Sequence, residues 1–354
     1  MPNSTGPQPY THLGLDDPPR DRRRAGDVLV GVDGSPGSRA ALVWAAREAV
    51  SRGVGLRVVC AVPVDEPWAD PLLVLTERAD QARSDTARLA AEEVDRARAE
   101  LAVGDRPWPE VTVQTRVGLP TTVLETAAVD AALLVVGSRG RGAARSVLLG
   151  SVSLHVVVHA GCPVVVVPGP GSPHAPGPLT PQSDRRVVVG VDSSAAGRAA
   201  VREAAAHAAR AGSRLVVVAA VSELDLWSPV HAAWAPAEAE IRRAVESRVQ
   251  AVVAEEFSAL PPAQRPDRVD TSVLAGPASG VLIDQAQGAE LLVVGTRNQG
   301  EARGLVLGSV ALHAVLHAPC PVLVVRAAPA DEVAHPDART EDGSAVRTGA
   351  SGTG

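Results

Sequence analysis

LLVVGSRGRGAARSVLLGSVSLHVVVHAGCPVVVV, residues 133–167, decides the reading of this chain. It opens with a short apolar run that ends in glycine and closes with four valines, two strand-sized segments around a glycine-rich middle. The middle has the spacing G-x2-G-x9-G-S, formed by Gly137, Gly140, Gly150 and Ser151. Glycine at 137 and 140 lets the backbone turn tightly with no side chain in the way of an incoming phosphate. Gly150 and Ser151 open the next helix, with Ser151 expected as N-cap, so unpaired N–H groups and the helix dipole face an anion. The hydroxyls of Ser151 and Ser153 are expected to donate to phosphate oxygens or to support a metal. Arg139, Arg141 and Arg145 add positive charge to the loop, although arginines on such loops also serve as solvated surface.

The same pattern occurs twice. Residues 28–62 recur at a shift of 159, with 18 of 35 positions identical, and residues 131–167 recur at a shift of 158, with 24 of 37 identical. Matching blocks in the same order imply a duplicated unit of about 140 residues, the size of a domain and far longer than a solenoid repeat. The expected division is a disordered tail at 1–26, one domain at 27–168, a Pro-rich extended linker at 169–185, a second domain at 186–326 and a disordered tail at 327–354. The tails and linker are polar and rich in Pro and Gly.

Within the first unit, apolar β-branched runs at 28–32, 56–62, 111–117, 133–137 and 164–167 read as strands. Helical patterns at 38–52, 79–101, 120–129 and 152–159 alternate with them. That alternation implies right-handed crossovers and a parallel sheet covered by helices. Aromatic residues make up only 2% of the chain, so the cores must be built from Val, Leu and Ala, which suits a sheet buried on both faces.

Composition excludes several chemistries. All 34 basic residues are arginine. No P-loop lysine, Schiff-base lysine or lysine general base is therefore available. A net charge of −6 without a basic run argues against a nucleic-acid partner. No apolar run reaches membrane-span length, and the first 24 residues lack the apolar core of a signal peptide, so no membrane partner and a cytoplasmic location are expected. Cys60, Cys162 and Cys320 have neither zinc nor redox spacing and are expected as small buried hydrophobes.

The chain resembles the universal stress protein family, in its ATP-binding branch with the G-x2-G-x9-G-[ST] motif. The resemblance includes V-D-G-S at the end of the first strand (Val32 to Ser35) and A-x-C-P-V before the fifth (Ala160 to Val164 and Ala318 to Val322). It covers both repeats. It implies two tandem Rossmann-like α/β domains, similar to adenine-nucleotide α-hydrolases, each a five-stranded parallel sheet of order 3-2-1-4-5 with helices on both faces. It also implies that ATP, with Mg2+, lies between strands one and four. Asp33 would contact the adenosine, Val62 would line the adenine pocket, and Gly137, Gly140, Gly150, Ser151 and Val152 would hold the phosphates. Asp33 before Gly-Ser can equally be a turn former.

The second copy keeps Asp192, Val221, Gly295, Gly308, Ser309 and Val310 at the matching positions. It has Asn298 for Gly140, Gln299 for Arg141, Glu301 for Ala143 and Ala311 for Ser153, a degenerate second site. The pairs His155/His159 and His313/His317 have a zinc-compatible i,i+4 spacing but lack the Glu of H-E-x-x-H, and are expected to pack or cap helices. The leading functional expectation is a nucleotide-responsive stress regulator that binds ATP and at most hydrolyses it slowly. Its two domains would pair as a pseudo-dimer within one chain, with a further homodimer left open. A slow ATPase or nucleotidyl-transfer enzyme and a nucleotide-free scaffold remain as alternatives.

Overall fold

The computed structural model describes residues 11–13, 26–62, 77–101, 106–140, 149–170, 185–221, 238–296 and 307–327. In the first half the strands are β1 (Thr11–Leu13), β2 (Val28–Gly31), β3 (Leu56–Val62), β4 (Val111–Val117), β5 (Leu133–Gly137) and β6 (Val164–Val167). The helices between them are α1 (Pro36–Arg52), α2 (Glu77–Glu100), α3 (Pro120–Ala127) and α4 (Ser151–His159). The second half repeats the plan with β7 (Arg186–Gly190), β8 (Arg214–Val221), β9 (Val269–Ala275), β10 (Leu291–Gly295) and β11 (Val322–Val325). Its helices are α5 (Ala195–Ala211), α6 (Glu238–Ala259), α7 (Ala278–Gln285) and α8 (Ser309–His317).

Strand order runs β4-β3-β2-β5-β6 in one half and β9-β8-β7-β10-β11 in the other, which is the expected 3-2-1-4-5 twice over. Every pairing inside each half is parallel. The strand centres are almost wholly aliphatic: Val28, Leu29 and Val30 are fully buried, as are Val187, Val188 and Val189. Side chains alternate between two core layers. Helices α1, α2, α5 and α6 cover one face, and α3, α4, α7 and α8 cover the other.

Local chemistry sets the helix ends. Helix α1 begins two residues before the expected position because Pro36, with φ preset, occupies its first turn, and the Ser35 hydroxyl accepts from the Ser38 amide. It stops at Gly53, whose φ of 67° is left-handed. Helix α5 repeats the device with Ser194 and Gly212.

One feature departs from the sequence expectation and a second goes beyond it. The tail at 1–26, expected to be disordered, contributes β1, which pairs in parallel with β4 and matches Thr11 to Thr112. Without β1, β4 would be an edge with unpaired backbone groups. The two sheets are also not separate: β6 pairs antiparallel with β11, giving one mixed sheet of 11 strands. Val165 lies opposite Leu323, its own counterpart at the shift of 158, so a local two-fold axis passes through that pair. The linker and C-terminal tail lie largely outside the described residues.

Helices α1 and α5 meet on one face of this junction. Trp44 stacks on His207, with ring centroids 6.1 Å apart and planes within 2°. Glu48, 3% exposed, lies 3.2 Å from His207 Nδ1, 3.1 Å from Arg210 and 2.6 Å from Arg52. His207 Nε2 lies 3.4 Å from Glu290. Burial alone would raise the Glu48 carboxyl, but His207, Arg52 and Arg210 outweigh it and hold the group well below the usual carboxylate range. Burial likewise disfavours the imidazolium, yet Glu48 and Glu290 push His207 up to about 9. A raised folded pKa stabilises fully below the ordinary 6.5 and loses its effect as pH rises through about 9. The depressed Glu48 stabilises above the ordinary carboxylate range and loses its effect as pH falls through and below it. Stability should therefore decline from pH 6.5 to 9.5. Thermal unfolding across that range should show a steeper fall for the parent than for His207→Gln, and parallel curves would refute the assignment.

Candidate functional site

The C-terminal ends of β2 and β5 lie side by side where the chain's direction of progress across the sheet reverses, and open α/β sheets place ligands in that crevice. Beyond β2 the chain passes through Asp33, Gly34 (φ 78°) and Ser35 into α1. Beyond β5 it passes through Ser138, Arg139 and Gly140. The two turns touch. A Cβ on Gly137 would sit 2.6 Å from the Gly37 carbonyl carbon and oxygen, and one on Gly37 would sit 2.5 Å from the Arg139 carbonyl oxygen. The Ser35 hydroxyl reaches the same Arg139 carbonyl at 3.4 Å.

Three of the expected loop glycines thus have different reasons, and none has a positive φ. Gly137 is needed because α1 presses its backbone against β5. Gly140 faces Asp33, where a Cβ would lie 2.7 Å from Oδ2. Gly150 is crowded by nothing: its nearest contacts, the Ser138 carbonyl and Ser153 Oγ, would be 3.6 Å from a Cβ, an ordinary distance.

Helix α4 starts differently from the expectation. Gly150, not Ser151, is the N-cap, and no side chain caps it. The Gly150 amide donates to the Ser138 carbonyl at 2.8 Å, and the first helical bond runs from Leu154 N to the Gly150 carbonyl. The amides of Ser151, Val152 and Ser153 lie in the first turn, where a helix supplies them no acceptor. Ser151 is exposed and Val152 half-buried at the mouth of the crevice. Ser153 points the other way: its buried hydroxyl donates to the Gly137 carbonyl at 2.7 Å. That hydroxyl braces the loop from beneath, a correction to its expected place among the phosphate donors. Ser138 Oγ does a similar job, accepting from the Gly169 amide. Serine 138 was missed in the sequence because nothing in its spacing marks it.

Arg139 is half-buried, and its sealed Nε has no hydrogen-bond partner among the described residues. Arg141 and Arg145 lie outside the described residues. Asp33 is exposed at the crevice, with Oδ1 accepting from the Ser35 amide at 2.9 Å, so it forms a turn while facing the loop. Val62, half-buried, ends β3 beside the crevice, its carbonyl held by the Gly118 amide.

In the second half Gly308 is the uncapped N-cap of α8, and Ser309 and Val310 open that helix. Gly295 again packs on the start of the opposite helix, where a Cβ would lie 2.7 Å from the Ala196 carbonyl carbon. Val221 ends β8 as Val62 ends β3. Asp192 has a different environment. A Cβ on Gly197 would lie 2.3 Å from its Oδ1, so the carboxylate is folded onto the first turn of α5, where it also accepts from Ser194. The first half has Ser38 at that place, too bulky for the same approach. Asn298, Gln299 and Glu301 fall outside the described residues. Ala311, fully buried, cannot supply the brace that Ser153 gives.

The paired histidines stack along their own helices, and His155 also reaches a neighbouring one. His155 and His159 stack at 4.2 Å, His159 Nδ1 meets the His155 carbonyl at 2.9 Å, and His155 Nε2 lies 3.3 Å from Glu125 of α3. The rings of His313 and His317 lie 4.4 Å apart. Cys60, Cys162 and Cys320 are buried free thiols, and burial pushes Cys162 up to about 11 and Cys320 up to about 12. Among the described residues, no helix is long and apolar enough to cross a membrane.

Two tandem units of this geometry match a family model described as the universal stress protein family, over residues 25–168 and again over 184–326. The chain belongs to that family. It is 33% identical over 309 residues to universal stress protein Rv1996 of Mycobacterium tuberculosis, covering 84% of this chain and 94% of that protein. It is 32% identical over 310 residues to universal stress protein Mb2028c of Mycobacterium bovis, covering 86% and 98%. A universal stress protein structure from Archaeoglobus fulgidus superposes with a TM-score of 0.59 at 18% identity, covering 86% of this chain and 99% of that one. These universal stress proteins match along nearly their whole length, so the tandem arrangement extends beyond this chain.

The glycine contacts make a stability prediction. Gly137→Ala drives a Cβ into backbone that cannot yield, and should cost roughly 1–3 kcal/mol or more. Gly150→Ala meets open space and should cost less than about 1 kcal/mol. Denaturant unfolding of both variants decides it, and equal losses would show that the α1–β5 approach is not the constraint.

Proposed function

We propose that this universal stress protein binds ATP, with Mg2+, in its first half, and that occupancy of the site regulates its interactions under stress. The observation that carries the reading is the uncapped start of α4, where Gly150 leaves the space in front of the helix without a capping side chain. An anion in that space meets the amides of the first turn and the positive end of the dipole. Arg139, with a sealed Nε lacking a partner among the described residues, stands beside it.

The triphosphate then lies along Gly137, Arg139, Gly140, Gly150, Ser151 and Val152. Asp33 takes the ribose, and Val62 with the end of β3 lines the adenine. Ser153 and Ser138 hold the loop without touching the ligand. Mg2+ would be bound by phosphate oxygens, with the Ser151 hydroxyl the protein group nearest to hand on the exposed turn. No step of bond cleavage is assigned to these residues.

The second half is the weaker site. Asp192 is already folded onto α5, away from the position that Asp33 holds, and the brace is lost at Ala311. Gln299 removes a charge and Glu301 adds one of the wrong sign. Losing one hydrogen bond to a charged group costs about 1.5–3 kcal/mol, which is roughly ten- to a hundred-fold in affinity.

Calorimetric titration of the parent with ATP and Mg2+ should show one dominant site, with ATP bound more tightly than GTP because adenine rests on apolar strand ends. Gly140→Asn, which copies the second half into the first, should displace Asp33 and weaken ATP at least ten-fold while the protein stays folded. Two equal sites, or equal affinity for ATP and GTP, would overturn the site assignment.

A further inference from the structure

The junction between the two halves sits on a local two-fold axis, and positions on such an axis face their own counterparts. Glu48 and His207 are those counterparts, related by the repeat shift of 159, and they touch at 3.2 Å. In a pairing of two first halves, Glu48 would face a second Glu48. In a pairing of two second halves, His207 would face a second His207, each beside Arg210. Arg52 lies beside Glu48 and Glu290 beside His207 within their own halves, but across the axis only the pairing of unlike halves sets these two counterpart positions as opposite charges. Two neighbouring ion pairs cross the same junction in opposite senses: Arg210 of α5 reaches Glu48 at 3.1 Å, and Arg52 of α1 lies 3.7 Å from Glu203.

A second, independent contact on the other face of the sheet is equally one-sided. Arg326, just past β11, donates to the carbonyls of Val157 and Val158 near the end of α4. A guanidinium on the last carbonyls of a helix satisfies acceptors the helix cannot. Its counterpart at the shift of 158 is Pro168, which has no donor to return to α8. The β6–β11 valines between these two contacts carry no such information, since they would pair equally well with a copy of themselves.

We propose that Glu48, His207 and Arg326 are a pairing-specificity element: they make the first half select a second half and reject its own kind. The surface of α1 and α4 in the first half is thus an interaction surface for one partner only, a domain bearing the α5 and Arg326 features of the second half. A buried charge left facing a like charge costs far more than the favourable pair gains, so the discrimination comes mainly from repulsion in the wrong pairings. The chain closes on itself, and its strongly apolar β6 and β11 are kept from recruiting further copies.

The test uses full-length variants with the charges reassigned. Glu48→His gives a chain with histidine on both sides of its axis, and His207→Glu gives one with glutamate on both sides. Each alone should unfold at lower temperature than the parent. Mixed one to one, they should form a two-chain complex, because glutamate-bearing halves now match the histidine-bearing halves of the other variant. Native mass spectrometry reads the result: a complex in the mixture, absent from each variant alone and from either mixed with the parent, supports the proposal. A mixture that stays monomeric overturns it. If either variant fails to fold, Glu48→Gln, His207→Gln and their double decide. Losses in the double well below the sum of the singles support a coupled pair, and additive losses overturn it.

Discussion

Two four-residue strands of aliphatic side chains, Val164–Val167 and Val322–Val325, hold the molecule together. Each is buried on both faces, and each would be the open edge of a five-stranded sheet if the other were absent. An apolar edge with unpaired backbone groups is a template for aggregation. Their antiparallel pairing removes two edges at once and runs each helix-covered core layer through both halves. The outer edges are handled differently: β4 is covered by β1, and β9 is left with mostly exposed or half-buried residues, including Asp270 and Ser272.

The crevice depends on the same parallel order one strand further in. Because β2 and β5 are neighbours whose connections run to opposite sides, the turns after them converge without a side chain between. Gly37 against Gly137 sets their separation, Ser153 fastens the loop to the end of β5, and Ser35 joins α1 to the Arg139 carbonyl. The first turn of α4 is therefore positioned by backbone contacts and buried hydroxyls. Pre-organisation of this kind reduces the ordering cost of binding.

Much of this was legible in the sequence because period and spacing report backbone facts. Alternating strand and helix patterns pointed to parallel crossovers, and the family resemblance implied the order 3-2-1-4-5 that both halves show. Side-chain direction was not legible. Ser151 and Ser153 look alike in the motif, yet one opens the helix at the surface and the other is buried under it. The glycines also look alike, and only coordinates separate steric need at Gly137 from open space at Gly150. The junction was hardest to see, because Glu48 and His207 sit in helices whose patterns show only that the positions face inward. Comparing the two copies position by position does hold the signal: Glu opposite His at one aligned place.

That comparison links the two asymmetries. After duplication, identical halves would have offered two equal sites and a symmetric junction, and neither is what the chain carries. The loop changed in one copy, where Asn298, Glu301 and Ala311 replace Gly140, Ala143 and Ser153, while the axis changed so that only unlike halves match. A specialised site is preserved in a two-domain assembly only if the assembly has a fixed composition. If first halves paired freely with first halves, chains would exchange partners and the ratio of strong to weak sites in each pair would vary. Opposite charges on the axis fix that ratio at one to one. Divergence of the two loops and divergence of Glu48 from His207 are thus mutually reinforcing if the first crevice is the nucleotide site proposed above.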